Sequence, residues 1–380
     1  MRLPLRDTPA PLARLELLHL ALPRRYTFRS AIGTRSEKQV LMIRWWMPDG
    51  SWGIGEASCR ADPRYSGEFI DGAVLMLRDH LGPMLMSSGT IGDLVEACSQ
   101  IRGWPFATAA VLSAALDALR RGGVHDPIDR WTFPRQMSVP VGASLGLYSS
   151  TAETLHAVMR SQEQGVRRVK LKICPSMDPA ILPAVRAAFP HLTLTFDANG
   201  SFGSAHLSPL ADLAALDPLM LEQPFPPGRL DLDRRLKDRA PDLSLCLDES
   251  ITDLGMLYTA RMLGVLDVVN LKPGRVGGPL RCDAALRWCR ERGVSAWIGG
   301  MFETGVGRHA NARAASCLPD AIAHDINPPS TYLLEDIVSE PLRMADDGTI
   351  ALDDAPVMIR WAVVDRSCVR RLDVLPGGVG

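Results

Sequence analysis

The sequence predicts an α/β protein in two parts, a small α+β domain followed by a β/α barrel. The first observation is a set of five ionisable residues whose positions differ by 25, 25, 26 and 24, about the length of one strand, one helix and two loops. Each ends a short apolar run, as expected at the C-terminal end of a buried barrel strand. The second observation is that the N-terminal third of the chain lacks this repeat. The five residues are Lys172, Asp197, Glu222, Asp248 and Lys272.

The N-terminal part begins with strands and continues with helices, an order typical of an α+β domain. Apolar stretches predict two strands joined by a loop, closely spaced glycines then predict a turn, and apolar residues at helical spacing predict three helices. In order, these elements cover 14–22, 25–35 (loop), 38–47, 50–55 (turn), 67–80, 91–101 and 106–121.

From residue 138 the chain alternates between strands and helices. Short apolar runs predict eight strands, the number that closes a β/α barrel, and most segments between them have helical spacing. The segment 254–263, for example, ends at Gly264, a residue typical of a helix C-terminus. The predicted strands cover 138–145, 168–173, 192–197, 218–222, 244–248, 267–272, 295–299 and 321–325.

The C-terminal residues lose this alternation. They include a strand-like segment at 357–361, so we expect them to leave the barrel and rejoin the first domain. The predicted domains are therefore an α+β capping domain at 1–130, a β/α barrel with the active site at 131–340, and a segment at 341–380 that returns to the capping domain.

Composition favours a protein that acts on a small molecule. Lys and Arg (42) nearly balance Asp and Glu (43), which gives no reason to expect nucleic acid or an anionic membrane as a partner. No apolar stretch is long enough to cross a bilayer. The eight cysteines form no CxxC pair and no zinc spacing, which indicates core residues in a reducing compartment. We therefore expect a cytoplasmic protein.

Three of the five repeated residues are acids, and they indicate a metal site. Asp197, Glu222 and Asp248 would come from three successive strands and surround a point near the barrel axis. Hard oxygen ligands of this kind suit magnesium, with positions left for water and substrate oxygens, whereas calcium would require more protein ligands. We expect Mg²⁺ as the cofactor, with Mn²⁺ as an alternative ion.

The lysines indicate proton transfer. Lys170 and Lys172 lie on one face of a strand, and one cation beside another lowers the cost of losing a proton. Lys172 is nearer the C-terminal end, so we assign proton transfer to it and a tuning role to Lys170. Lys272, four strands later, would face Lys172 across the barrel. A magnesium ion on both oxygens of a carboxylate would then stabilise the charge that develops as the adjacent proton leaves.

Six motifs carry these residues within about residues 138 to 340. They are VKLKI (169–173), DAN (197–199), EQP (222–224), LDES (247–250), NLKPGRVGG (270–278) and GGMFETGVGR (299–308). Together they resemble the enolase superfamily, muconate-lactonising subgroup, and are most similar to the branch of o-succinylbenzoate synthases and N-acylamino acid racemases. A lysine base acting with magnesium is known for that superfamily.

The resemblance implies a modified TIM barrel of the (β/α)7β type, with an α+β capping domain formed by the N-terminal segment and the C-terminal tail. It implies that the three acids bind magnesium, that Lys172 and Lys272 are the acid/base pair, and that two loops of the capping domain close over the substrate. It also implies auxiliary roles for Lys170, Asn199 and Glu249, and substrate contacts from Phe28, Arg29, Tyr65, Ser144, Met301 and Phe302.

The activity that this resemblance favours is o-succinylbenzoate synthesis, a dehydration of a cyclohexadiene carboxylate in menaquinone biosynthesis. The alternatives with the same site are a racemase of N-acylated (N-succinyl) amino acids and a muconate-type cycloisomerase. Asn327 stands where dipeptide epimerases carry the second acid of an Asp-x-Asp motif, which argues against that activity. A non-catalytic binding barrel is a further alternative, and the presence of both lysines counts against it. We expect a homo-oligomer with a small carboxylate substrate and no nucleic acid or membrane partner.

Overall fold

The computed structural model describes residues 6–30, 33–123, 136–318, 322–353, 355–375 and 378–379. These residues form a five-stranded antiparallel sheet, a seven-stranded parallel sheet and one two-stranded sheet. The parallel sheet is the barrel, and the antiparallel sheet joins strands from the two ends of the chain.

The antiparallel sheet combines N-terminal and C-terminal strands in the order β14-β13-β1-β2-β3. Four helices follow its first three strands, and a π-helical turn at Leu77–Leu81 joins the first two. The elements are β1 (Arg14–Ser30), β2 (Gly33–Trp46), β3 (Trp52–Ala57), α1 (Ile70–Met76), α2 (Gly82–Met86), α3 (Ile91–Gln100) and α4 (Pro105–Arg121), with β13 (Cys368–Leu375) and β14 (Gly378–Val379) from the C-terminus.

The predicted loop at 25–35 is wrong, because β1 and β2 continue into this region as a two-stranded ribbon. Their pairing slips between Pro23 and Phe28 and then resumes, with Phe28 opposite Arg35. Proline has no N–H to donate, so an irregularity in the ladder at this position has a simple cause. Paired backbone hydrogen bonds thus extend the strands beyond the apolar stretches that predicted them.

The predicted turn at 50–55 is also partly wrong, since β3 occupies most of it. Gly53 and Gly55 serve close packing: a Cβ on Gly53 would lie 2.1 Å from the Ala118 backbone nitrogen, and one on Gly55 would lie 2.0 Å from the Ala110 carbonyl oxygen. Both partners belong to α4. A glycine inside a strand often marks such a close backbone approach, and here it was mistaken for a turn signal.

The parallel strands follow one another around the barrel in sequence order, β5 to β11. A helix follows each strand, which confirms the predicted α/β fold class. The strands are β5 (Gly142–Leu145), β6 (Arg168–Lys172), β7 (Thr193–Asp197), β8 (Met220–Glu222), β9 (Leu245–Leu247), β10 (Val268–Leu271) and β11 (Ser295–Ile298). The helices are α5 (Thr151–Glu163), α6 (Ile181–Ala188), α7 (Leu207–Asp212), α8 (Leu230–Arg239), α9 (Leu254–Met262), α10 (Pro279–Glu291) and α11 (Gly305–Ala315).

The eighth strand position is filled by a single bridge. Of the predicted strand 321–325, residue 321 lies outside the described part of the chain, and His324 pairs with Val141 in parallel. The Asp325 N–H donates to the Ile298 carbonyl at 3.0 Å, and the Gly142 N–H donates to the His324 carbonyl at 2.8 Å. These bonds connect the last strand of the sheet to the first, so the barrel closes as (β/α)7β.

The ends of the barrel sequence differ from prediction in two places. The predicted strand 138–145 is divided, because β4 (Ser138–Pro140) pairs with β12 (Thr349–Ala351) and only β5 enters the barrel. The predicted strand at 357–361 is wrong: among the described residues it forms only one bridge, Val338 to Ile359, before α12 (Trp361–Ser367) begins. The Trp361 ring packs edge-on against Trp52 at 5.4 Å, which explains its apolar character without a strand.

After α12 the chain rejoins the antiparallel sheet, since β13 pairs with β1. The domain boundaries themselves stay a prediction. All eight cysteines are free, and six are buried, as expected for core residues. The expectation is wrong for Cys174 and Cys368, which are partly exposed. In the part of the chain that the structure describes, every helix is too short or too polar to span a bilayer.

Candidate active site

The five repeated residues lie together at the C-terminal ends of β6 to β10. Strand register places Lys172 opposite Asp197 and Asp197 opposite Glu222. Asp248 and Lys272 directly follow β9 and β10. The three carboxylates are between 0% and 1% exposed, so their charges must be compensated by neighbouring groups.

Three lysines supply most of this compensation. Lys172 Nζ lies 2.6 Å from Asp197 Oδ2, and Lys272 Nζ lies 2.7 Å from Asp248 Oδ2. Lys170 Nζ lies 3.1 Å from Asp197 and 3.0 Å from Glu222. Lys170 therefore bridges two of the three carboxylates, while each of the proposed acid/base lysines contacts one.

The carboxylates differ in how easily they hold a proton. Burial and the neighbouring Asp197 charge raise the pKa of Glu222 to about 7, although Lys170 opposes the rise. Burial also acts to raise the pKa of Asp197, but Lys172 and Lys170 outweigh it and the pKa is lowered. Burial would lower the pKa of Lys170, yet the surrounding carboxylates raise it well above its usual value. Lys170 therefore stays a cation, in keeping with its predicted tuning role.

Two amide side chains hold this cluster in place. Asn199 donates to Glu249 Oε1 at 3.0 Å, and its own side-chain oxygen accepts a hydrogen bond from Lys172. Gln223 Oε1 accepts from the backbone N–H groups of Asp248 and Ser250, each at 3.0 Å. Asn199 and Gln223 both have left-handed backbone, with φ of 45° and 39°. Non-glycine residues in this region are uncommon and often mark functional sites.

The donor set fits magnesium in its chemistry. As the side chains stand, no three Asp, Glu, His or Cys residues among those described are grouped as a metal site would require. The carboxylate oxygens are instead paired with lysines. Yet Asp197, Glu222 and Asp248 offer only hard oxygens, come from successive strand ends and repel one another electrostatically. The Glu249 oxygen Oε2 is buried without a hydrogen-bond partner in the described part of the chain, which leaves a further acceptor nearby.

A cavity of about 560 Å³ opens above this cluster, and both Lys172 and Lys272 line it. Tyr65 reaches it from the segment between β3 and α1, and its hydroxyl oxygen accepts from Lys272 Nζ at 3.2 Å. The predicted contact residues Tyr65, Ser144, Met301 and Phe302 all line this cavity, as does Asn199. Phe28 and Arg29 are on β1, but their side chains lie outside the described part of the chain.

Sequence reasoning missed two charged residues of the site. Arg275 contacts the second oxygen of Asp248, and Asp325 Oδ2 lies 2.7 Å from Lys170 Nζ. Asp325 Oδ1 is also 2.7 Å from the buried Arg168 guanidinium. A signal existed for Asp325, because it is an acid at the eighth strand position. Arg275 follows Lys272 by three residues within a quoted motif.

Comparisons with known proteins agree with the motifs. Residues 153–356 match the family model described as enolase C-terminal domain-like. An N-succinylamino acid racemase of Thermus thermophilus is 35% identical over 341 residues, covering 89% of this chain and 91% of the relative. An o-succinylbenzoate synthase of Bacillus subtilis is 30% identical over 355 residues, covering 90% and 92%. The crystal structure of an enolase superfamily member from Listeria innocua matches with a TM-score of 0.90 at 28% identity, covering 96% and 99%.

Proposed function

Because this chain belongs to the enolase superfamily, as its motifs predicted, we propose that it removes the proton next to a carboxylate group of a small substrate with a succinyl arm. Its relatives include a racemase and a synthase, and both of their names contain a succinyl group. The substrate class follows from what those two names share.

The observation that carries the proposal is the presence of two lysines on one cavity. Lys172 ends β6 and Lys272 follows β10, with three strands between them in the barrel. Both amines line the cavity. A carbon atom held between these two walls would have an amine on each face, which is the arrangement that proton removal and return require.

Each lysine is held by groups that keep its amine in position. Lys172 is bonded to Asp197 and Asn199, and Lys272 to Asp248 and Tyr65. In the proposed reaction Lys172 acts as a neutral amine and accepts the proton from the carbon next to the carboxylate, becoming an ammonium group. The electron pair left on that carbon makes the substrate an enediolate. The Lys272 ammonium stabilises that negative charge from the opposite face.

Asp197, Glu222 and Asp248 would hold a magnesium ion. When bound, the ion would supply positive charge beside the substrate carboxylate. Lys170 lies between Asp197 and Glu222 and balances part of their charge, so it would keep these two acids close together when the substrate is absent.

The first candidate reaction is o-succinylbenzoate synthesis, by dehydration of a cyclohexadiene carboxylate in menaquinone biosynthesis. Lys172 would take the proton and then return it to the departing hydroxide on the same face, so that water leaves. Lys272 would stay a cation throughout. Relatives of this name from five species are 30–32% identical to the chain and support this candidate.

The second candidate is racemisation of N-succinyl amino acids. It is favoured by the relatives from Thermus thermophilus and Amycolatopsis, at 35% and 34% identity. Here Lys172 and Lys272 would each exchange a proton with one face of the α-carbon. The presence of the second lysine, bonded to the first domain through Tyr65, is compatible with both reactions.

A single assay in heavy water distinguishes the candidates. The purified protein with magnesium is incubated with the synthase substrate and, separately, with N-succinyl amino acids, and both reactions are followed by NMR. Loss of water supports the synthase, and deuterium at the α-carbon with loss of optical purity supports the racemase. Inactivity with both substrates would contradict the proposal and direct the search to muconates. A cytoplasmic location and a homo-oligomer are further proposals.

A further inference from the structure

Loop 299–304 joins β11 to α11 and carries two residues of the cavity wall. Met301 and Phe302 line the same cavity as Lys172 and Lys272. Phe302 has left-handed backbone with φ of 58°, a conformation that a bulky residue adopts only when its surroundings impose it. The contacts that hold the loop backbone therefore determine where Met301 and Phe302 stand in the cavity wall.

Glu56, on β3 of the antiparallel sheet, is bonded to the end of this loop and to the start of α11. Its carboxylate accepts from the Thr304 N–H at 3.0 Å, the Thr304 hydroxyl at 2.6 Å and the Gly307 N–H at 3.1 Å. The Ser58 hydroxyl donates to its other oxygen at 2.9 Å. Glu56 is 8% exposed, so these bonds to the first turn of α11 are buried. Burial raises the pKa of Glu56 to about 7, whereas the helix dipole favours its anionic form.

Lys38, on β2 of the same sheet, fixes the middle of the loop. Its ammonium donates to the Met301 carbonyl at 3.2 Å and is 6% exposed. The loop also holds itself, because Glu303 accepts from the Met301 N–H at 2.7 Å. The backbone on either side of Phe302 is thus tied down, at Met301 and at Thr304, by charged residues of the antiparallel sheet.

The sequence of α11 leaves room for Glu56. A Cβ on Gly307 would lie 2.9 Å from Glu56 Oε2 and 2.7 Å from the Glu303 Cβ. Any larger residue at 307 would therefore push the carboxylate away from the helix. Glu56 itself does not line the large cavity, so its effect on a substrate must pass through the loop.

We propose that Glu56 is a positioning residue for the substrate: from the antiparallel sheet it fixes loop 299–304 and thereby sets where Met301 and Phe302 stand in the cavity. Lys38 assists it at the Met301 carbonyl. This proposal rests on the proposed function, because it concerns recognition of the same substrate. The acid/base lysines are on other strands and make no contact with Glu56 among the bonds described. A change at Glu56 should therefore alter substrate recognition more than proton transfer.

The test compares KM with kcat in matched variants. Glu56→Gln removes the charge and keeps the shape, and it should raise KM roughly tenfold while kcat changes by less than about threefold. Asp117→Asn is the control, because Asp117 is also a buried acid that accepts a β3 backbone N–H, but its partners are Ile54, Arg120 and Arg121. This control should leave KM unchanged.

A second pair of variants approaches the same contact from the barrel. Thr304→Val removes the hydroxyl that donates to Glu56, and Thr304→Ser keeps it. Thr304→Val should raise KM about as much as Glu56→Gln does. Thr304→Ser, which keeps the hydroxyl, should have the KM of the wild type. If Glu56→Gln does not fold, the two Thr304 variants still test whether the contact between Glu56 and Thr304 affects KM.

These measurements separate a failure of the proposed function from a failure of the proposal for Glu56. If the wild-type protein turns over neither succinyl substrate, the proposed function is wrong, and the proposal for Glu56, which depends on it, is wrong as well. An active wild type whose Glu56→Gln variant has the KM of the Asp117→Asn control overturns the inference alone. A loss confined to kcat, with KM unchanged, also overturns it, because the loop would then act on the chemistry.

Discussion

Replacing Asp325 with Asn should destabilise the protein strongly, because this carboxylate lies between two buried cations. Its two oxygens are each 2.7 Å from a cation, Oδ1 from Arg168 and Oδ2 from Lys170. Lys170 would keep Asp197 and Glu222 as partners, but Arg168, which is 1% exposed, has its one ion pair in the described structure with Asp325. Removing one partner of a buried pair costs about 3–5 kcal/mol, since an uncompensated charge stays behind.

Urea unfolding of a double-mutant cycle measures this contribution. Arg168→Met combined with Asp325→Asn removes both charges, so the double variant should be more stable than the sum of the two single losses predicts, by at least about 1 kcal/mol. The exposed pair of Arg229 and Asp231 gives the control, because Asp231→Asn should have no measurable effect. A loss below about 1 kcal/mol for Asp325→Asn, or additive losses in the cycle, would show that Asp325 does not stabilise the protein by compensating these buried charges.

Three further predictions follow from other parts of the molecule. Burial raises the pKa of Glu68 from 4.5 to about 8, so its contribution to stability is present below pH 4.5 and is lost as the pH rises through 8. The free energy of unfolding should therefore fall more between pH 5 and pH 8 in the wild type than in Glu68→Gln. Urea titrations of both proteins at the two pH values measure this difference, and equal falls would show that Glu68 does not contribute to the pH dependence. Gly142→Ala would place a Cβ 2.5 Å from the Arg168 guanidinium and should cost about 1–3 kcal/mol in thermal unfolding, whereas Gly203→Ala, with no atom within 4 Å, should cost little. Chelation of divalent cations should abolish turnover and magnesium should restore it; activity that survives the chelator would count against a magnesium site.

The location of the repeated residues could be predicted from the sequence because a parallel barrel gathers all its strand ends at one mouth. A spacing near one strand plus one helix is then enough to place Lys172, Asp197 and Glu222 side by side, and the register of β6, β7 and β8 does so. The same spacing does not reveal which cation meets which carboxylate. Those pairings depend on side-chain directions across the barrel, which local pattern does not contain.

The remaining errors also have tertiary causes. Gly53 and Gly55 resembled turn residues, but they are glycines because α4 packs directly on their strand. Trp361 resembled a strand residue, but its ring packs on Trp52 at the start of a helix. In each case the local sequence was compatible with two kinds of local structure, and a contact with a residue distant in sequence determined which one formed. Glu56 is a similar case, since its value to the site appears only when α11 is placed beside β3.

The role of Lys172 as the base that removes the proton next to the substrate carboxylate can be measured by proton exchange. Wild type and Lys172→Ala are incubated in heavy water with magnesium and the succinyl substrate that the wild type accepts, and release or exchange of the α-proton is followed by NMR. We expect the rate of proton release to fall by at least about 10²-fold in Lys172→Ala, the usual contribution of a general base, with the thermal unfolding midpoint and magnesium binding retained. Proton release at the wild-type rate in Lys172→Ala would show that Lys172 is not the base.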